Sequence, residues 1–270
     1  MEAAVQPSQR VDFGPCQVHR LTEHDCVTFV AEELAARRGG WIVTANVDIL
    51  RRMAIDTDFA ALCSRASLVV ADGMPLVWAS RLRGEPLPER VTGSSLIWTL
   101  SAMAARRRRS VYLLGGVPGT AERTALALRR SNPMLQVAGV SCPDTGFETR
   151  PDAMARIAHD LAAARPDIVY VAFGAPKSER LIASLRQLVP EAWWIGVGIS
   201  FSFASGEIAR APGWMQRAGL EWLHRLAQEP ARLARRYLFD DVPFAAGLLV
   251  RAAWSRMRQG GGARPQVAEP

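Results

Sequence analysis

Apolar runs of strand length alternate with segments of helical period through the first two hundred or so positions of the chain. Trp41 to Asn46, Ser67 to Ala71, Val111 to Leu114, Leu135 to Ser141, Ile168 to Phe173 and Trp193 to Val197 read as strands. Most of them are continuously apolar rather than alternating, which marks strands covered on both faces. Between them lie amphipathic segments. Thr22 with Asp25 forms a capping box that opens a helix through Val27, Val30 and Leu34 to the Gly39-Gly40 stop. Further helices are expected over Met74 to Arg83, from Ser94 or Ser95 to Arg107, from Thr120 to Arg130, over Pro151 to Ala164 and from Pro176 onward. Gly84 to Gly93, with Pro86 and Pro88, and Pro143 to Arg150 read as loops. Strands alternating with helices predict an α/β fold over residues 1–210: a Rossmann-like, mostly parallel sheet with helices on both faces.

From about Ala211 the strand pattern stops. Trp214, Ala218, Trp222 and Leu226 recur at helical spacing, Pro230 restarts the chain, and Leu233, Tyr237 and Leu238 continue the apolar set. Between Glu207 and Arg258 there are nine arginines and five acids, which supplies most of the chain's net charge of +7. Residues 211–258 therefore read as a basic helical appendage, either docked on the core or presented to a membrane or partner surface. Residues 259–270 read as a flexible tail. Met1 to Arg20 lacks the apolar stretch of a signal peptide. The apolar run Val242 to Ala253 is broken by Arg251 and falls short of the roughly 18 residues of a membrane span. A soluble or peripheral protein is expected.

Composition narrows the classes further. With 49% hydrophobic and 22% charged residues the chain is that of a folded protein. Its 33 basic residues include a single lysine, Lys177, a bias that points to base composition, while the basic balance favours an anionic partner. The arginines are interspersed with acids and no helix-turn-helix or RNP pattern occurs, so nucleic acid is not the expected partner. Cys16, Cys26, Cys63 and Cys142 form no CxxC pair, and His19, His24, His159 and His224 are equally scattered, so free thiols and no metal site are expected. The first strand is not followed by GxGxxG, and no GxxxxGK[ST] occurs, which disfavours a nicotinamide-dependent oxidoreductase and a Walker ATPase. No cofactor is expected.

Ligands of open parallel sheets bind beyond the carboxyl ends of the strands. The residues there are Thr44, Asn46 and Asp48; Asp72; Gly115 and Gly116; Gly174, Pro176 and Lys177; and Gly196 and Gly198. Asp72, between an apolar strand and Gly73, is placed to act as a general base, or equally to cap the helix that starts at Met74. The Gly115-Gly116 turn suits an anion at a helix N-terminus or serves as a plain tight turn. Arg90 reads as a phosphate clamp or as a solvated surface arginine. Asp48 and Asp144 read as a first-turn acid and a turn former.

Several stretches together resemble one family, the WecG/TagA/CpsF glycosyltransferases. They are Thr44 to Asp48, Ala71 to Pro75, Glu89 to Gly93, Leu114 to Gly119, Phe173 to Glu179, Gly196 to Gly198, Arg210 to Trp214, and Gly219 to Arg225 with Glu229 to Tyr237, in the family's order over roughly residues 41 to 240. The resemblance implies an inverting, metal-independent enzyme that moves a hexose, N-acetylmannosamine-type or glucose, from a UDP-sugar donor to a polyprenyl-diphosphate-linked acceptor. It would work in exopolysaccharide, capsule or wall polymer synthesis, at the anionic inner face of the bacterial plasma membrane. Position by position it makes Asp72 the general base, Thr44, Asn46 and Arg90 pocket residues, and Arg225, Arg232 and Arg235 arginines that the appendage brings to the site. Gly115, Gly116, Gly174, Pro176, Glu179 and Gly198 complete the expected substrate-binding set. Two positions depart from the family pattern: Ser178 stands where glutamine is usual and Ser202 where aspartate is usual. Both bear on sugar selectivity or rate, and a catalytically impaired homologue acting as a scaffold is the alternative they leave. A homo-oligomer is neither required nor excluded.

Overall fold

A computed structural model describes residues 7–260, the side chains of 259 and 260 excepted. In chain order the elements of the core are β1 (Arg10–Asp12), β2 (Gln17–His19), α1 (Glu23–Ala35), β3 (Gly40–Ala45), α2 (Val47–Ile55), α3 (Thr57–Cys63), β4 (Leu68–Ala71), α4 (Met74–Arg83) and α5 (Gly93–Arg106). They continue with β5 (Ser110–Gly115), α6 (Thr120–Ser131), β6 (Gln136–Ser141), α7 (Pro151–Ala164), β7 (Ile168–Ala172), α8 (Lys177–Leu185), β8 (Trp193–Gly196) and α9 (Ser200–Ala204). β1 and β2 pair as a small antiparallel hairpin, while the other six strands form one sheet in the order β4-β3-β8-β7-β5-β6, every pair parallel.

The six expected strands are thus present, and the double-sided burial of all but the edge strand β6 follows from the two-residue period of a strand. Trp41 and Val43 face one layer with α2, α3, α7 and α8, whereas Ile42 between them faces the other layer with α1, α5 and α6. Trp193 and Trp194 split between the same two layers. Two local features differ from the sequence reading. The helix after β3 breaks at Asp56, whose carboxylate accepts from the Phe59 N–H at 2.9 Å and so starts α3. The β1–β2 hairpin, with strands of three residues, carries too little alternation to read in advance.

The C-terminal segment comprises α10 (Gly213–Arg217), α11 (Glu221–Gln228), α12 (Pro230–Ala234), a π-helical turn over Arg235–Asp241, and α13 (Val242–Gly260). α13 lies along α4, and its Leu248 and Ala252 are buried in the same core layer as α2 and α4. The helix docks on the core, as one of the two readings of the segment had it. Of the expected tail 259–270, the first two residues still belong to α13 and the remainder lies outside the described residues. Asp48 is more than a first-turn acid. It pairs with Arg51 and Arg52 of its own helix and faces Arg236 of the π-helical turn at 3.9 Å.

Candidate active site

The carboxyl end of β4 is held from two sides. The Asp72 N–H donates to the Ala45 carbonyl of β3 at 2.8 Å, and the returning chain donates from the Val91 N–H to the Ala71 carbonyl at 2.8 Å. α4 then starts from Gly73 with no side-chain cap, so Asp72 does not cap it. The Asp72 carboxylate instead accepts from the N–H of Gly93, the first residue of α5. A Cβ on Gly93 would lie 3.1 Å from Val197 Cα and 3.6 Å from Thr44 Oγ1, so the start of α5, the end of β8 and Thr44 pack closely around this bond. The Thr44 hydroxyl donates to the Gly196 carbonyl at 3.2 Å. Asn46 caps α2, its side-chain oxygen accepting from the Ile49 N–H at 3.0 Å.

Burial pushes the Asp72 carboxyl up to about 6, and Glu221 adds to the rise; Arg90, Arg210 and the Gly93 N–H act in the opposite direction without cancelling it. A carboxylate of that basicity is mostly ionised at pH 7 yet accepts a proton more readily than a solvated aspartate.

Arg90 reaches over this carboxylate from the loop before α5. Its Nη1 donates to Glu221 Oε2 at 2.6 Å and its Nη2 to Gln216 Oε1 at 3.2 Å, so it is not a solvated surface arginine. Arg210 approaches from the other side, with Nη2 3.3 Å from the hydroxyls of Thr92 and Ser95 and Nε 3.4 Å from Glu221 Oε1. Gln216 and Glu221 come from α10 and α11, whose connecting turn lies directly on α4. A Cβ on Gly219 would be 2.7 Å from the Trp78 ring and 2.9 Å from Met74 Cβ, and its φ of +71° also favours glycine. The sequence reading did not single out Gln216, Glu221 or Arg210 as site residues. Arg90 and Glu221 are 131 residues apart, and nothing local to either announces the other.

The glycine-rich strand ends divide into closed and open positions. At Gly116 the N–H donates to the Ala172 carbonyl at 3.0 Å, and at the start of α6 the Thr120 hydroxyl donates to Glu207 at 2.6 Å while Arg123 also contacts that carboxylate. A protein carboxylate thus sits beside the first residue of α6. Above Gly174 and Gly198 there is open space, with nothing within 4 Å of a built Cβ. Pro176 precedes α8, and Lys177 pairs with Glu148 of the loop after β6 at 2.6 Å.

Ser178 and Glu179 face inward. The Ser178 hydroxyl accepts from the Phe173 N–H at 3.1 Å and reaches the Val171 carbonyl at 3.4 Å, so this departure from the family pattern closes the β7–α8 turn. Glu179, expected among the substrate-binding residues, is buried beneath β8, with Oε1 2.9 Å from where a Gly196 Cβ would stand. Burial pushes it up to about 7, nearby Asp48 adds to the rise, and Oε2 has no hydrogen-bond partner. In this structure it packs against the end of β8. Of the three appendage arginines, Arg225 pairs with Glu229 at 3.4 Å and lies 5.9 Å from the Phe203 ring centre, next to α9. Arg232 pairs with Glu229 from the exposed side, and Arg235 is exposed. Among the described residues no group of three or more His, Cys, Asp or Glu side chains converges as a metal site, and all four cysteines are free thiols. No helix among them is long and apolar enough to cross a membrane.

Comparison with known proteins agrees with this architecture. The model of the glycosyl transferase WecG/TagA/CpsF family matches residues 11–259. An N-acetylglucosaminyldiphosphoundecaprenol N-acetyl-beta-D-mannosaminyltransferase of Bacillus spizizenii strain W23 is 31% identical over 230 residues, 85% of this chain and 86% of its own length. The protein of the same name from Bacillus subtilis strain 168 is 32% identical over 197 residues, 73% of this chain and 75% of its own. The chain belongs to the WecG/TagA/CpsF family of glycosyltransferases.

Proposed function

We propose that this glycosyltransferase moves an N-acetylmannosamine-type sugar from a UDP-sugar onto polyprenyl-diphosphate-linked N-acetylglucosamine, with inversion and without a metal ion, in bacterial wall polymer synthesis. The names of its two Bacillus relatives support the sugar and the acceptor. The observation that carries the reading is the desolvated Asp72 carboxylate at the end of β4, within electrostatic reach of Arg90 and Arg210, which are joined through Glu221.

In this reading the acceptor hydroxyl attacks the anomeric carbon from the face opposite the nucleotide. The new C–O bond forms as the bond to the diphosphate oxygen breaks, and the hydroxyl proton passes to Asp72. Negative charge grows on the departing UDP, and Arg90 and Arg210 are the cations placed to stabilise it, in surroundings dry enough to strengthen the attraction. The open space above Gly174 and Gly198, at the carboxyl ends of β7 and β8, offers room for the hexose. Asp72 must be ionised to accept the proton, so the rate should climb as pH rises through about 6 and then level off.

Membrane attachment belongs to the same proposal. Trp214 is 59% exposed, Phe239 76% and Trp254 58%, and the exposed Arg232, Arg235 and Arg251 accompany them on the C-terminal segment. Aromatic groups with arginines suit the interface of an anionic bilayer. Trp222 instead packs its ring edge-on against Tyr237 at 6.2 Å.

The test is UDP release from a panel of UDP-sugars offered with a short-chain polyprenyl-diphosphate-linked N-acetylglucosamine, with and without EDTA. Release with UDP-N-acetylmannosamine that resists EDTA, with product of inverted configuration, is expected. No release with any donor would leave the impaired-homologue alternative in its place.

A further inference from the structure

Glu221 is the one charged group over Asp72 that the proposed reaction does not use. It holds both cations of the site, Arg90 through Oε2 at 2.6 Å and Arg210 through Oε1 at 3.4 Å. The Arg90 and Glu221 side chains are only 15% and 17% exposed, so their pair is screened little by solvent. With Asp72 ionised, the two arginines and two acids are electrically neutral together. A diphosphate arriving at this group finds no surplus positive charge while Glu221 keeps its place. It also finds both terminal nitrogens of Arg90 engaged, because Gln216 takes the second at 3.2 Å.

A carboxylate and a diphosphate present similar oxygens to an arginine fork, and each can satisfy it. A half-buried guanidinium left with neither would be costly, which gives an internal acid a purpose in the empty enzyme. Glu221 is suited to leave. It sits in the first turn of α11, a helix with no fully buried residue, next to the Gly219 turn.

We propose that Glu221 is a positioning residue that stands in for the substrate's diphosphate, holding Arg90 and Arg210 over Asp72 in the empty enzyme and surrendering Arg90 when the nucleotide binds. Nucleotide binding and a shift of α11 are then one event. The inference rests on the UDP-sugar reading above.

The experiment is a calorimetric titration of UDP into the full-length wild type, Glu221→Gln, Arg90→Ala and the double variant, with the pH profile of kcat/KM for the first two. Removing the competing charge should tighten UDP binding about tenfold in Glu221→Gln, the scale of one hydrogen bond to a charged group. That gain should disappear when Arg90 is also absent. The acid limb of the profile should move to lower pH, because an acid that raises Asp72 is gone while Arg90, Arg210 and the Gly93 N–H remain. Should Gln at this position prevent folding, Glu221→Asp serves instead: a shorter acid releases Arg90 more readily and also tightens UDP. A plain structural pin gives the opposite result. UDP binding that Glu221→Gln leaves unchanged or weakens, or a gain equally large without Arg90, overturns the stand-in role and leaves the UDP-sugar reading intact. No UDP binding by either the wild type or Glu221→Gln overturns that reading and this inference with it.

Discussion

The sheet core and the segment that crosses its rim are held by different forces. The strands of the central sheet other than the edge strand β6 bury both faces, and residues such as Trp41, Trp193 and Trp194 are almost wholly enclosed. α10 and α11 bury no side chain completely, and from α12 to the end of the π-helical turn only Leu233, Tyr237 and Asp241 are buried. What ties this stretch to the core is largely charge: Arg90 and Arg210 on Glu221, Arg51 on Asp240 and Asp241, and Arg236 on Asp48. Beyond Val242 the balance returns to apolar packing through Leu248 and Ala252. A lid fastened by ion pairs between two apolar anchorages can lift without the core unfolding, which a lid fastened by buried apolar surface cannot do.

The largest expected effect separates chemistry from attachment. Asp72→Asn should lower transfer by about 10² to 10⁴, the usual worth of a general base, while the C-terminal segment stays as resistant to protease as in the wild type. The same variant should be more stable at pH 8. The folded-state value of about 6 lies above the ordinary 3.8, so the stability linked to Asp72 is present below that ordinary value and lost as pH rises through about 6. An uncharged Asn avoids the loss, on the order of 1–3 kcal/mol. A thermal melt at pH 8 that drops for Asp72→Asn would contradict the recessed, desolvated carboxylate.

Next in size is the apolar anchor. Leu248→Ala should cost about 2–4 kcal/mol in denaturant unfolding, as buried leucines do, because α13 shares its core layer with α2 and α4. A loss below about 0.5 kcal/mol, the level of a surface substitution, would mean that α13 is as loosely held as the rim, and the contrast between the two regions would collapse.

The contrast also explains what the sequence disclosed. Five of the six sheet strands were legible because a strand covered on both faces is a continuous apolar run, and that signal is local; the edge strand β6 is the exception. Asp72 was legible as a residue but not as a role, since capping α4 and receiving the Gly93 N–H look the same from Asp-Gly-Met-Pro. The partners of Arg90 were hidden because Gln216 and Glu221 are brought to it by the fold alone. Ser178 and Glu179 were legible as positions but not in their orientation. Their place in a strand-end motif announced a functional position, and only the fold shows that both side chains turn inward.

A smaller effect tests the charge fastening directly. Raising salt from about 0.05 to about 0.5 M, roughly a threefold shortening of the screening length, should speed proteolytic cleavage within residues 213–241 several-fold. The core should be unaffected, so the melting temperature and the cleavage pattern before residue 210 stay constant. Cleavage that is insensitive to salt would show that Leu233 and Tyr237 hold the stretch unaided.

The smallest effect comes from Asp241, and its sign is the informative part. The residue lies 3.6 Å from both Arg51 and Arg236, yet burial and the neighbouring Asp48 push its carboxyl up to about 6, outweighing the two arginines. Arg51 Nε, Arg236 Nε and Asp241 Oδ1 are buried without a hydrogen-bond partner, so these pairs attract without close geometry to repay desolvation. The raised value means that the stability linked to Asp241 is present below the ordinary 3.8 and is lost as pH rises through about 6. Asp241→Asn should therefore hold the π-helical turn at least as well as the wild type at pH 8, within about 0.5–1 kcal/mol, and the difference should vanish near pH 4. Hydrogen exchange of the amides in residues 235–241 at the two pH values reads this locally. Faster exchange in the variant at pH 8 would show that the arginines win at Asp241, and that the rim is fastened by well-made ion pairs rather than by loose ones.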